Sequence, residues 1–182
     1  ETMGALATAV HSGKALYVGI SNYSPEQTAD AVDILKDMGV HCLIHQPRYN
    51  ILDRRNEKNG LFKTLNKLGV GSIVFSPLEQ GILTDRYLKG IPQNSRAAKK
   101  FTLSERDITP ERIKIINNLN DIAAARGQSL AQMSIAWVLR DGFATSALVG
   151  ASTVPQLEDN LKAVHNLNFT DQELRQIEEV IS

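Results

Sequence analysis

The chain has 182 residues, of which 42% are hydrophobic, 22% charged and 5% aromatic. That is globular composition, so disordered and fibrous classes drop out. Twenty basic and twenty acidic side chains cancel to zero, which argues against a nucleic-acid or membrane-surface protein, since both use a basic excess to meet phosphates. Cys42 is the sole cysteine, which excludes an internal disulfide framework and fits a reducing compartment. No apolar run approaches the roughly 18–20 residues that span a bilayer. Glu1-Thr2-Met3-Gly4 carries neither the basic nor the apolar region of a secretory signal, so the expected location is cytoplasmic. The opening reads as the interior of a longer chain.

Residues 2–13 look like the tail of a helix. Leu16-Tyr17-Val18-Gly19-Ile20 is the first apolar, β-branched run, and it ends in Ser21-Asn22-Tyr23-Ser24-Pro25. Ser24 with Pro25 at the first helical position predicts a helix start. That helix runs through Val32, Ile34 and Leu35 to a C-terminal cap at Gly39. Cys42 to Gln46 is a second strand, followed by a loop and a helix over 57–68, with Leu61, Phe62, Leu65 and Leu68 at helical spacing. Gly71 to Phe75 is a third strand, running into Ser76-Pro77-Leu78. Residues 85–110 are polar and rich in Lys and Arg, which reads as a functional loop rather than a structural one. Helices over 110–126 and 129–140 follow, then a fourth strand over 145–150, a helix opening at Ser152, and a terminal helix after Thr170.

Strands that are apolar throughout predict burial on both faces and a parallel sheet. The strand-then-helix order repeats four times. A whole eight-unit barrel needs about 250 residues, so half a barrel fits better. A doubly wound open sheet is the competitor, but its G-x-G-x-x-G turn is absent: Gly69-Val70-Gly71 precedes a strand and lacks the third glycine. There is no Walker-type phosphate loop either.

A polar cluster closes each strand: Ser21-Asn22, Gln46 near Arg48 and Tyr49, Ser76, and Gly150 with Ser152. In parallel barrels that rim binds ligands, although Ser and Asn also end strands and cap helices for purely structural reasons. His41 and His45 share a strand face by period two, but without a third ligand no metal site follows. Cys42 reads as core. The sequons at Asn22 and Asn168 are chance matches. None of Tyr17, Tyr23, Tyr49 and Tyr87 comes with readable partners that would make it a proton donor.

Gly13 to Tyr23 (GKALYVGISNY), His45 to Asn50 (HQPRYN), Phe75-Ser76-Pro77-Leu78 with Gly81-Ile82-Leu83, and Val149-Gly150-Ala151-Ser152 with Gln156 to Asn160 occur in one order along the whole chain. Together they resemble the aldo-keto reductase family from its fifth barrel strand onward. Gly90 to Arg96 (GIPQNSR) is shared with the subgroup that holds the voltage-gated potassium channel β subunits and bacterial L-glyceraldehyde 3-phosphate reductases. The resemblance implies that residues 1–182 are one domain piece, the C-terminal half (strands five to eight) of a (β/α)8 barrel. It implies NADP as cofactor and a small aldehyde or ketone as substrate.

By the same resemblance, Ser21, Asn22 and Gln46 hydrogen-bond the nicotinamide carboxamide, and Phe75 stacks on the nicotinamide. Ser76 and Leu78 hold the pyrophosphate region, and Arg86 and Arg96 meet cofactor phosphates. Gly150, Ser152, Gln156, Asp159 and Asn160 bind the adenosine 2′-phosphate, ribose and adenine, with the following helix N-terminus adding its dipole. Asn94 stands where the channel subunits have tyrosine. The family's catalytic Asp, Tyr, Lys and His belong to the first half, so no residue here inherits those roles. An alternative is an NADP-binding regulatory or redox-sensing subunit. A third reading is a natural half-barrel that forms a homo-oligomer. Segment 85–100 is expected to fold over the dinucleotide.

Overall fold

A computed structural model describes residues 1–88 and 108–182. Arg96, Asn94 and most of the polar segment therefore lie outside the described residues. The rest divides into two compact units.

The first unit comprises residues 1–49, 53–75 and 142–148. It holds helices α1 (Thr2–His11), α2 (Pro25–Asp37), α3 (Arg55–Lys58) and α4 (Leu61–Leu68), and strands β1 (Val18–Ser21), β2 (Cys42–Gln46), β3 (Gly71–Val74) and β4 (Ser146–Ala147). The strands form one parallel sheet in the order β1-β2-β3-β4, with Ser21 opposite Gln46, Ile44 opposite Gly71 and Val74 opposite Ala147. Gly19 sits at a register shift between β1 and β2. A Cβ there would lie 2.6 Å from Ile44 Cγ1 and 2.8 Å from its carbonyl oxygen, so only glycine permits that approach.

α2 begins as its sequence dictates. Ser24 Oγ accepts from the Gln27 amide, Gln27 Oε1 accepts from the Ser24 amide, and Pro25 opens the first turn, a capping box. Thr28, Ala31 and Leu35 form its buried stripe. The helix expected over 57–68 is instead two, α3 and α4, because Gly60 adopts a left-handed φ of 84° between them. Leu61, Phe62 and Leu65 of α4 are buried. Tyr49, Phe62 and Phe143 form an aromatic cluster, with Phe62 4.8 Å from Tyr49 and 5.7 Å from Phe143, centroid to centroid.

α1 packs on β1, α2 on β2 and α4 on β3. Val18, Ile20, Cys42, His45, Ser72 and Val74 are the buried strand residues. In β2, Cys42 and His45 have opposite parity and are both buried, whereas Leu43 between them is 46% exposed. Tyr17, just before β1, and Leu148, just after β4, are 69% and 51% exposed. His41 is exposed and precedes β2, whereas His45, within the strand, is fully buried.

The second unit comprises residues 50–52, 76–141 and 149–182. It contains α5 (Pro110–Ala125), α6 (Leu130–Leu139), α7 (Val154–Leu161) and α8 (Asp171–Ile181), with short 3₁₀ turns at 79–81 and 85–87. α6 is buried from Leu130 to Val138, as a helix apolar on all sides must be. α5 packs on α6 and α8, and α7 packs on α6. Capping boxes start α6 (Ser129, Gln132) and α8 (Thr170, Glu173). Among the described residues no helix is long and apolar enough to cross a membrane.

Candidate functional site

Four of the sequence-predicted residues lie in the first unit, and all four sit where a parallel strand ends. Ser21 closes β1 and Gln46 closes β2, directly paired, with Ser21 Oγ donating to the Gln46 carbonyl at 2.8 Å. The Ser21 hydroxyl proton is thereby committed, which leaves its lone pairs as acceptors. Phe75, half-buried, follows β3, and its amide donates to the Pro47 carbonyl at 3.0 Å, so pairing continues past the strand. Asn22 turns the chain with a left-handed φ of 57° and an exposed side chain. A non-glycine residue in that conformation costs on the order of 1 kcal/mol or more.

The turn at Asn22 is held by His45, which acts as a structural, hydrogen-bonding histidine rather than a metal ligand. The Tyr23 amide donates to His45 Nε2 at 3.2 Å. The neutral ring must then carry its proton on Nδ1, which has no partner among the described residues. Burial pushes the His45 pKa below its ordinary 6.5. A histidine whose folded pKa is depressed contributes stability above the unfolded pKa and loses it as pH falls. Urea unfolding of the full-length protein should therefore shift to lower midpoints below about pH 6.5. His45→Gln keeps an acceptor but cannot titrate, and should flatten that slope; an unchanged slope would remove His45 as the cause. Cys42 beside it is buried, which pushes its thiol pKa up and makes it inert.

The remaining described predictions lie in the second unit. Ser76, Glu79 and Gln80 all have left-handed φ (57°, 43° and 57°). Asn50 holds this strained loop, since its buried Nδ2 donates to the Ser76 carbonyl at 3.0 Å and to Glu79 Oε2 at 2.6 Å. Leu78 is half-buried within the loop, and Arg86 is exposed on the 85–87 turn. Gly150 and Ser152 are exposed ahead of α7. Gln156 Oε1 accepts from the Ser152 amide at 2.8 Å, which fixes the entry to that helix. Asp159 is tied to the start of α6, accepting from Gln132 Nε2 at 2.7 Å and Ser129 Oγ at 3.2 Å. Asn160 is 4% exposed, and its Nδ2 has no partner among the described residues. An orphaned buried donor is costly and fits a ligand acceptor at that point.

The aldo/keto reductase family model matches residues 1–182. The chain belongs to the aldo/keto reductase family. It is 49% identical over 186 aligned positions to the L-glyceraldehyde 3-phosphate reductase of Escherichia coli K12, covering all of this chain and 54% of that protein. It is 32% identical to a probable voltage-gated potassium channel subunit beta of rice, covering 90% of this chain and 51% of the other. The solved thermostable aldo-keto reductase Tm1743, in complex with the inhibitor epalrestat, matches with a TM-score of 0.73 and 25% identity over 99% of this chain and 54% of that one. This aldo-keto reductase chain thus spans about half the length of the relatives it matches. Its parallel α/β architecture is consistent with part of a (β/α)8 barrel.

Proposed function

We propose that this chain is the C-terminal, cofactor-holding half of an NADPH-dependent aldo-keto reductase that reduces small aldehydes or ketones. The single observation carrying this reading is the family match across all 182 residues. Its candidate residues sit at the C-terminal ends of β1, β2 and β3, where barrels place their chemistry. When bound, the nicotinamide supplies hydride to the carbonyl carbon. Ser21, Asn22 and Gln46 orient the carboxamide, and Phe75 presents a flat π-face to the ring. Ser76 and Leu78 serve the pyrophosphate, Arg86 and Arg96 the phosphates, and Gly150, Ser152, Gln156, Asp159 and Asn160 the adenosine end. The orphaned Nδ2 of Asn160 supports that last assignment.

Fluorescence quenching on the full-length protein tests the cofactor. NADPH should bind more tightly than NADH, and Asn160→Ala should weaken NADPH by about 1–2 kcal/mol. Equal affinity for the two nucleotides would count against the assignment of the 2′-phosphate end. The likeness to the rice channel subunit supports a second reading, a cofactor-binding regulatory subunit. Turnover far below about 1 s⁻¹ with every aldehyde tried would favour it.

A further inference from the structure

We infer that the cleft beside Asn22 and Phe75 is an anion-recognition site, in which Arg48 and Arg55 seat the phosphate or carboxylate tail of the carbonyl substrate. This rests on the reductase reading. The cleft lies wholly within the first unit and has a volume of ≈ 560 Å³, inside the range of about 300–1,000 Å³ for small-ligand sites. Its wall carries two guanidiniums and no carboxylate.

Asp53 stands behind that wall and sets both arginines. Arg55 Nε and Nη2 donate to Asp53 Oδ1 and Oδ2 at 2.9 and 2.8 Å, and Arg48 Nε lies 3.2 Å from Oδ2. The Asp53 side chain is 15% exposed, against 34% for Arg48 and 78% for Arg55. The carboxylate is therefore recessed and the cations face outward. Asn56 Nδ2 donates to the Arg48 carbonyl at 2.8 Å and fixes that backbone. Ser24 and Gln27 also line the cleft; Ser24 Oγ and Gln27 Oε1 are engaged in the capping box, and Ser24 Oγ donates to Glu26 Oε2 at 2.8 Å. Glu26 in the first turn of α2 answers that helix's dipole. The two guanidiniums are the charged groups of the lining, and their planar donors suit phosphate and carboxylate oxygens.

Asn22 and Phe75, the proposed nicotinamide contacts, line the same cleft. An anion held there sits at the reacting end of the cofactor site, which makes it a substrate tail. Sequence reasoning placed Arg48 in a rim cluster but found no role for Arg55, because only the fold brings the Asp53 loop beside Asn22.

The test uses the full-length protein, saturated with NADPH for the rate measurements and with NADP for the binding measurements. Steady-state rates are compared for a phosphorylated aldehyde (glyceraldehyde 3-phosphate), a carboxylated one (succinic semialdehyde) and a neutral one (4-nitrobenzaldehyde). Calorimetry measures binding of inorganic phosphate. Arg48→Gln and Arg55→Gln should each raise KM for the favoured anionic aldehyde about tenfold. That rise should greatly exceed any change for 4-nitrobenzaldehyde, and phosphate binding should weaken in parallel. Whichever anionic aldehyde responds identifies the tail. Exposed Lys63→Gln controls for loss of one positive charge and should do neither. Equal losses for anionic and neutral aldehydes, or phosphate binding that ignores both arginines, would overturn the inference. If no aldehyde turns over while arginine-dependent phosphate binding persists, the anion site stands and the reductase reading falls.

Discussion

The isolated 182-residue chain is expected to show no NADPH-dependent carbonyl reduction. Reduction needs a positioned proton donor as well as a hydride source, and by the family resemblance none of the four tyrosines falls at the catalytic position. Tyr49 is fully buried and donates its hydroxyl to Glu57 Oε2 at 2.8 Å. Tyr87 is fully buried, with its hydroxyl shut away from any substrate. Tyr17 is 69% exposed on the strand approach, without the apolar enclosure or charged partner that tunes a phenol. Tyr23 serves the Asn22 turn through its backbone. β1 and β4 end the sheet, so their outer edges are unpaired among the described residues. Leu43 and Leu148 add exposed apolar surface. Open edges of this kind drive association, so light scattering should find oligomers or aggregates. Supplying the complementary half, in cis or as a second chain, should yield a discrete species that turns over. The assay is NADPH oxidation with methylglyoxal or 4-nitrobenzaldehyde on mass-verified protein. Robust turnover by the 182-residue chain alone would show that its own side chains, one of these tyrosines included, supply the proton donor.

Arg126→Ala should be the most damaging single truncation in the second unit. Its side chain is 2% exposed, and Nη1 pairs with Glu173 Oε1 at 2.7 Å. Nη2 donates to the Asn168 carbonyl at 3.0 Å, Nε donates to Gln128 Oε1 at 2.9 Å, and the guanidinium lies 3.7 Å above the Phe169 ring. One side chain thus ties the end of α5 to the chain entering α8. Removing it takes the cation from Glu173, itself 24% exposed, and a donor from the Asn168 carbonyl, a loss of about 2–3 kcal/mol. Burial alone would raise the Glu173 pKa, but the Thr170 capping contacts and Arg126 outweigh it and hold it low. Glu173→Gln keeps an oxygen for the cap and should cost only about 1 kcal/mol. Arg126→Lys should recover little, since a point charge cannot replace a planar fork. Urea midpoints of the three variants in the full-length protein give the order. A near-neutral Arg126→Ala would mean that the α5–α8 contact holds without its clamp.

Wherever the physics is local, the residues themselves determined the outcome. Ser24-Pro25, Ser129 and Thr170 announced helix starts, and each forms the cap its neighbours allow, because capping involves only residues three apart. The β-branched runs became parallel strands for the same reason, and the polar residues at their ends marked the rim. The motif order along the chain identified the family without any coordinates. Three outcomes needed tertiary structure. Gly60 split a helix that periodicity had joined, since spacing records which face is apolar but not a backbone dihedral. Leu43 of β2 stayed 46% exposed among buried strand neighbours, because hydrophobicity fixes what a strand favours and not what is there to cover it. The grip of His45 on the Asn22 turn, the hold of Asn50 on the Ser76 loop, and the meeting of Arg48 with Arg55 across Asp53 were also invisible in sequence. Hydrogen bonds spanning more than twenty residues, and charges meeting across a loop, depend on where the sheet brings each chain end, and that geometry is a property of the fold.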